Sequence, residues 1–168
     1  GQNYVNARID LDFHVRYPPR VEKLVQLIPL LVVLLLSLSF HEAAHAWMAK
    51  RLGDPTAQMR GRLTMNPIAH IDPFGTILLP LLMVAMFGFG FGYAKPVPVN
   101  PMYFKDRRKG MLLTGLAGPT TNLLLAAVAG ILTRVLSLPF AAALGTAGAW
   151  VAFGSFYFAY INLVLMFF

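Results

Sequence analysis

The sequence predicts an all-α membrane protein with about three transmembrane helices, a re-entrant or short fourth apolar segment, and small extended segments at the membrane surface. Hydrophobic residues make up 57% of the 168 residues and charged residues only 12%, whereas ordinary soluble domains carry about 25% charged residues. A domain of this size still exposes much of its surface after folding, so this apolar surface needs lipid as its solvent. Long apolar runs, separated by short polar stretches that contain proline or glycine, are the third observation.

The first apolar run, residues 21–52, predicts a helix about 48 Å long at about 1.5 Å per residue, more than a hydrocarbon core of about 30 Å. Its centre, residues 27–40, is aliphatic almost throughout. The run is too long for a cleaved signal peptide and lacks a small-residue cleavage site. Residues 1–20 form a polar segment in which we interpret His14 as a surface histidine, and residues 21–168 form the membrane-embedded core.

Two irregular stretches and an apolar run follow. Residues 53–72 contain alternating stretches and prolines, which predict extended or hairpin structure at the membrane surface. The apolar run 74–91 is interrupted by Pro80 and ends in a series of glycines, which favours a re-entrant path. Residues 94–100 (AKPVPVN) should be extended, because each proline disfavours helix at the residue before it.

The second half of the chain is again apolar. After the basic cluster 105–109, a helix is predicted over residues 110–136, then a break at 137–139 and a small-residue stretch at 141–148. The last apolar run, 150–168, stops without a polar flank, so we expect further sequence to follow it.

The charge pattern and the absence of cysteine restrict the partners. The net charge of +7 comes from basic residues beside apolar runs, as in juxtamembrane segments, and no interleaved aromatics suggest a nucleic-acid surface. We therefore expect a lipid bilayer and no nucleic acid as partner. Without cysteine, a transition metal must be bound by His, Asp or Glu.

The chemistry is indicated by residues 41–45, HEAAH, which match the pattern H-E-x-x-H. On a helix, His41 and His45 lie on one face, where two imidazoles can bind one Zn²⁺ ion. Glu42 is adjacent and can act as general base. The alternative is a chance match or a pair of core histidines. An ionisable group in a membrane helix costs up to about 2.5–3.5 kcal/mol, so three of them in five positions favour a function.

Five stretches carry a family resemblance: FHEAAHAW (40–47), GDPTA (53–57), GRLTMNPIAHIDPFGTILLP (61–80), AKPVPVNP (94–101) and AGPTTN (117–122). With them, residues 30–168 resemble the site-2 protease family of intramembrane zinc metalloproteases, in its compact bacterial and archaeal form. The resemblance implies a zinc endopeptidase that cuts a transmembrane protein substrate in regulated intramembrane proteolysis. It implies that His41 and His45 bind zinc and that Glu42 activates water.

The chain departs from the family at the third zinc ligand, an aspartate in a later Asn-x-x-Pro-x-Pro-x-Leu-Asp-Gly motif. Nothing in these 168 residues matches that motif, and we expect it after Phe168. Asp54, His70 and Asp72 are the candidate substitutes. We interpret all three as structural, with His70 and Asp72 as turn or interface residues.

Asn122 allows two interpretations. An amide in an apolar helix can simply bond a neighbouring helix, for about 0.6–2 kcal/mol. Alternatively, it binds the substrate backbone or orients the site. In the resemblance, residues 118–122 lie in a helix packed against the catalytic helix.

The topology follows from the depth of the two motifs. If residues 74–91 crossed the membrane, residues 41–45 and 118–122 would lie toward opposite faces, whereas a re-entrant segment gives them one depth. Re-entrance also places most basic residues on one face, which is then cytoplasmic. We predict a multi-pass protein of a prokaryotic cell membrane with its active site toward the cytoplasm.

Two other classes of function remain open. Paired histidines in a membrane helix also suit a metal-binding transport protein, and a chain without a third ligand also suits a non-catalytic scaffold. For a protease, residues 62–66 and 95–100 are predicted to pair with an unwound substrate as an added strand.

Overall fold

The computed structural model describes residues 19–87, 92–137 and 145–167, and these are helical or irregular, with no strand among them. The predicted all-helical class is confirmed to that extent. The chain divides into two compact units, residues 1–33 and 34–168. The described residues of the first unit are the beginning of the first helix, and the contacts below belong to the second. The predicted polar segment and His14 lie outside the described residues, apart from residues 19 and 20.

The first helix, α1 (Pro19–Arg51), agrees with the prediction for residues 21–52. Its part Leu31–Arg51 is long and apolar enough to cross a membrane. The helix ends in Lys50 and Arg51, and Gly53 then takes a positive φ of 104°. A glycine just beyond the last turn adopts this left-handed conformation without the steric cost of a Cβ, so it ends the helix.

The prediction of extended or hairpin structure for residues 53–72 is wrong. A short helix, α2 (Thr56–Met59), and a 3₁₀ turn (Pro67–His70) occupy this segment. The reason is local: the side-chain oxygens of Asn66 and Asp72 accept backbone N–H groups of the next turn, and a proline follows each of them. Such capping competes with strand pairing, and proline has its φ already set for the first position of a turn.

The next apolar run folds back to its starting point. A π-helical turn (Pro73–Leu78) leads into α3 (Leu79–Phe87), and together they are about 20 Å long, shorter than a hydrocarbon core of about 30 Å. Residues 88–91, with two of the glycines used above, lie outside the described residues. After them, Tyr93 N–H donates to Gly75 O at 3.0 Å, so the segment returns to the turn from which it started.

The long helix α4 (Arg107–Leu136) begins three residues before its predicted start. The reason is Asp106, whose carboxylate accepts Lys109 N–H at 3.0 Å and caps the helix. The helix ends at Ser137, where a break was predicted, and residues 138–144 lie outside the described residues.

The last helix, α5 (Gly145–Leu165), begins five residues before the predicted run 150–168. It packs against α4 through buried alanines, and Thr133 and Ser155 join the two helices by a hydroxyl–hydroxyl bond of 2.8 Å. Among the described residues, two helices are long and apolar enough to span a membrane, Leu31–Arg51 and Arg107–Leu136. A third span therefore stays a prediction.

Candidate metal and catalytic site

The two histidines of the HEAAH motif lie side by side on α1. Their ring centroids are 4.6 Å apart and the ring planes meet at 76°. His41 is buried and His45 half-buried. This is the arrangement that a spacing of four residues gives on one face of a helix.

Gly118 of α4 packs directly against both rings. A Cβ built on Gly118 would lie within 2.5 Å of both His45 Nε2 and His41 Nε2. The two Nε2 atoms therefore converge on one small region, and the absence of a side chain at Gly118 leaves it open. Zn–N bonds are about 2.0–2.1 Å long, so nitrogens this close can share one ion.

The other ring nitrogen of His45 is held by the backbone of α4. His45 Nδ1 lies 2.6 Å from Thr114 O. A carbonyl oxygen only accepts, so Nδ1 carries the proton and Nε2 keeps its lone pair. Zinc-binding histidines characteristically donate their second ring N–H in this way, which fixes the tautomer and the ring orientation.

Asn122 holds the other ring. Its amide lies 3.0 Å from His41 Nδ1 and is fully buried, while Asn122 Oδ1 has no hydrogen-bond partner. If Asn122 Nδ2 donates to His41 Nδ1, the ring proton of His41 lies on Nε2, and Nε2 cannot bind a metal. With the amide turned so that Oδ1 accepts Nδ1–H, His41 Nε2 is free for a metal, as His45 Nε2 is.

Three residues of α4 contact the histidines, and the sequence identified only some of them. Thr114 was not predicted, and Gly118 was recognised as part of a motif but not as a neighbour of the two rings. The signal was available: Thr114, Gly118 and Asn122 are four residues apart, so they form one face of α4 that matches the spacing of the histidines on α1.

Glu42 faces the side of the site where the chain is irregular. Its Oε2 accepts Val97 N–H at 3.0 Å. A cavity of about 420 Å³ lies between Glu42, the histidines, α4 and residues 96–99. Thr114 is part of its wall, and the Thr114 hydroxyl is buried without a hydrogen-bond partner in the described part of the chain. The cavity is lined by His41, Glu42, His45, Pro96, Val97, Val99, Met111, Thr114 and Gly115.

A third protein ligand is absent from the described part of the chain, where no group of three His, Cys, Asp or Glu side chains can hold a metal. The carboxylate of Asp54 is engaged by Thr56 and by Asn100 N–H, and that of Asp72 caps the turn that follows it. His70 Nε2 lies 2.9 Å from Thr64 O. The donor set therefore fits zinc with two ligands and a neighbouring carboxylate.

A second buried amide lies one turn below the site and was not expected. Asn162 of α5 is fully buried and donates to Ser37 Oγ and to Phe158 O, both at 2.8 Å. Ser37 lies four residues before His41, on the same face of α1. A lone amide in an apolar helix is the sequence signal that would have identified it.

Curated relatives of the chain are named as zinc metalloproteases. It is 50% identical over 103 residues to "Putative zinc metalloprotease YwhC" of Bacillus subtilis (strain 168), which covers 61% of the chain and 44% of the relative. It is 39% identical over 119 residues to "Putative zinc metalloprotease Rip2" of Mycobacterium tuberculosis, covering 71% of the chain and 45% of the relative. A Rip2 of Mycolicibacterium smegmatis is 39% identical over 100 residues.

No family profile and no solved structure matches the chain. The chain spans less than half the length of the curated relatives it matches. These relatives are members of the site-2 protease family, and the resemblance stated from the sequence is thereby confirmed.

Proposed function

We propose that this chain, as a relative of the site-2 protease family, forms the metal-binding and general-base part of a zinc endopeptidase that cuts a transmembrane protein inside the bilayer. The observation that carries the proposal is the convergence of His41 and His45 Nε2 on Gly118, with the cavity and Glu42 beside them. The names of the relatives support the protease role and the zinc ion.

The chemistry divides between the metal and the residues of the chain. When bound, zinc supplies a Lewis acid that lowers the pKa of water and polarises a carbonyl group. Thr114 O and Asn122 hold the two imidazoles in one orientation. Glu42 faces the cavity, where its carboxylate takes a proton from water and delivers it to the leaving amine. Catalytic zinc sites generally have three protein ligands and a water, so one further ligand would complete the two imidazoles.

The surroundings of the site support the proposed substrate class. The catalytic motif lies on a helix that is long and apolar enough to cross a membrane, and so does Gly118. A substrate that reaches the cavity there comes from the bilayer, as a transmembrane helix that first unwinds. Lipid is the other partner, and the cytoplasmic side of a prokaryotic cell membrane is the proposed location of the site.

The substitution Glu42→Gln tests the protease proposal against a metal transport protein. We expect zinc binding to stay within about twofold, because Glu42 is not a ligand, and peptide cleavage to fall about 10²–10⁴-fold, the usual contribution of a general base. The assay uses a fluorogenic apolar helical peptide in lipid vesicles, with zinc content measured on the same samples. Cleavage that survives this substitution would refute the role of Glu42, and zinc flux without cleavage would favour the transporter.

A further inference from the structure

Residues 94–100, here called the proline strap, form neither helix nor strand, and Pro96, Val97 and Val99 line the cavity. Three of its backbone N–H groups are bonded to three different parts of the fold. The bonds are Lys95 N–H to His70 O at 2.9 Å, Val97 N–H to Glu42 Oε2 at 3.0 Å and Asn100 N–H to Asp54 Oδ2 at 2.7 Å. The central bond ends on the proposed general base, and the outer two fix the strap on either side of it.

The spacing of the prolines explains why the strap is stiff. Each bonded residue stands immediately before a proline, at position 96, 98 or 101. A following proline restricts the residue before it to extended conformations, so the direction of each N–H is largely set before the bond forms. Val99, by contrast, precedes Asn100 and not a proline, and its N–H has no partner in the described part of the chain.

This arrangement argues against the strap as a strand that pairs with substrate. Pro96 and Pro98 have no N–H, and the N–H groups of Lys95, Val97 and Asn100 are already bonded. Within residues 95–100, which were predicted to pair, only Val99 has an N–H that could donate to an added strand, whereas strand addition depends on a series of donors and acceptors. The groups to which the strap is bonded, His70 O and the carboxylates of Glu42 and Asp54, therefore indicate its function better than strand pairing does.

We propose that the Val97 N–H is a positioning group for the reaction: it fixes the Glu42 carboxylate through Oε2, so that Oε1 faces the cavity. This inference rests on the proposed function, because it assigns Glu42 the role of general base. Glu42 has a flexible side chain on α1, and a misplacement of about 1 Å at a reacting group can cost about 100-fold in rate. The strap removes that freedom with a backbone group that is itself held at both ends.

Three substitutions separate the N–H from the side chain. Val97→Pro removes the N–H, and its extended, proline-flanked position suits the proline ring. Val99→Pro is the matched control, since it removes an unbonded N–H from the same strap and alters the same cavity wall. Val97→Ala trims the side chain but keeps the N–H. The difference between Val97→Pro and the other two variants therefore measures the bond to Glu42.

The kinetic test uses the zinc-loaded chain and a fluorogenic apolar helical peptide in phosphatidylglycerol–phosphatidylethanolamine vesicles. We expect Val97→Pro to lower kcat about 10–100-fold more than Val99→Pro or Val97→Ala does. Zinc content should stay within about twofold in all three, because none of them changes a zinc-binding histidine. Any change in KM should be similar in the two proline variants, because both alter the cavity wall. Equal losses in the two proline variants would overturn the proposal, as would a loss that appears only in KM.

A second measurement decides the proposal without catalysis. A double-mutant cycle on unfolding in detergent combines each proline variant with Glu42→Ala. Val97→Pro should raise the unfolding equilibrium constant about tenfold in the wild-type background and leave it nearly unchanged beside Glu42→Ala. Val99→Pro should have the same small effect in both backgrounds. Peptide cleavage by the unsubstituted protein tests the proposed function separately. The cycle alone decides whether the bond exists, and additive effects of Val97→Pro and Glu42→Ala would refute it.

Discussion

At the scale of single residues, the site depends on the absence of a side chain at Gly118, which is a glycine. The two Nε2 atoms converge against Gly118, and any Cβ there would meet both within 2.5 Å. The nearest alternative on the same helix is Gly115, where a Cβ would meet nothing within 4 Å. Two glycines three residues apart therefore differ completely in what they allow, and they form a matched pair for substitution.

Gly118→Ala should reduce zinc affinity at least about 10–100-fold, the range found when groups that orient a metal ligand are disturbed. The reason is that the new methyl group must displace one or both imidazoles. Gly115→Ala should bind zinc as the unsubstituted chain does. Chelator competition on both purified variants measures this, and equal affinities would show that Gly118 does not border the metal.

Asn122 gives a second prediction, on the tautomer of His41. Asn122→Asp keeps an acceptor for the Nδ1 proton, whereas Asn122→Leu has similar volume but no polar atom. Zinc affinity should fall about 10–100-fold in the leucine variant and markedly less in the aspartate variant. Equal losses in both variants would indicate that Asn122 only packs α4 against α1.

The residue scale also shows what the sequence could and could not predict. Residues 41–45 were recognised because ligands four apart on one helix form a local pattern. The contacts of Gly118, Thr114 O and Val97 N–H with that motif join residues that are distant in sequence. Two of these contacts use a backbone carbonyl or N–H group, which nearly every residue type carries, so no particular residue type could mark them.

At the scale of elements, Asp54 joins the end of α1 to the proline strap. Its carboxylate accepts the Thr56 hydroxyl at 2.5 Å, Thr56 N–H at 2.9 Å and Asn100 N–H at 2.7 Å. Burial raises the pKa of Asp54, but the Thr56 hydroxyl and the two N–H donors lower it by more, so the pKa lies below its usual value. These hydrogen bonds make Asp54 an anchor between α1 and the proline strap.

This anchor predicts a pH-dependent stability. Because the folded-state pKa of Asp54 lies below the unfolded value of about 3.9, the stabilisation is complete above that pH and is lost as the pH falls through the folded pKa. The substitution Asp54→Asn should cost about 1.5–3 kcal/mol near neutral pH, the range for hydrogen bonds to a charged group. Unfolding midpoints of the unsubstituted chain and of Asp54→Asn, measured in detergent between about pH 3 and 7, check this. A difference between the two midpoints that does not change with pH would contradict it.

The elements were predicted unequally. The long apolar runs predicted the bounds of α1, α4 and α5 to within about five residues. In an apolar environment the backbone groups have no water to bond, so a long apolar run satisfies them within a helix. Residues 53–72 were assigned wrongly, because short side-chain caps at Asn66 and Asp72 decide their turns. Alternating hydrophobicity over so short a stretch is weaker than these caps.

At the scale of the whole molecule, the contacts of the second unit support a re-entrant path for the segment after α2. The C-terminal part of α1 meets the N-terminal part of α4 at Gly118, and Tyr93 returns to Gly75. If α1 and α4 both span the bilayer, their joined ends lie toward one face, and the segment between them enters and leaves at that face.

Cysteine labelling tests this path without interference, because the chain has no cysteine of its own. Met59→Cys and Lys105→Cys stand at exposed positions before and after the segment. Re-entrance predicts that an impermeant thiol reagent labels both from the cytoplasmic face of oriented vesicles. Labelling of the two from opposite faces would require a spanning segment and would contradict the proposed topology.

The central claim is that the Nε2 atoms of His41 and His45 bind one zinc ion. Its most direct measurement is the zinc stoichiometry and affinity of the purified chain beside His41→Ala, His45→Ala and, as control, His70→Gln. We predict one zinc per chain, lost in each of the first two variants and retained in the third. Zinc that is bound equally well without His41 or His45, or lost with His70 alone, would contradict the account.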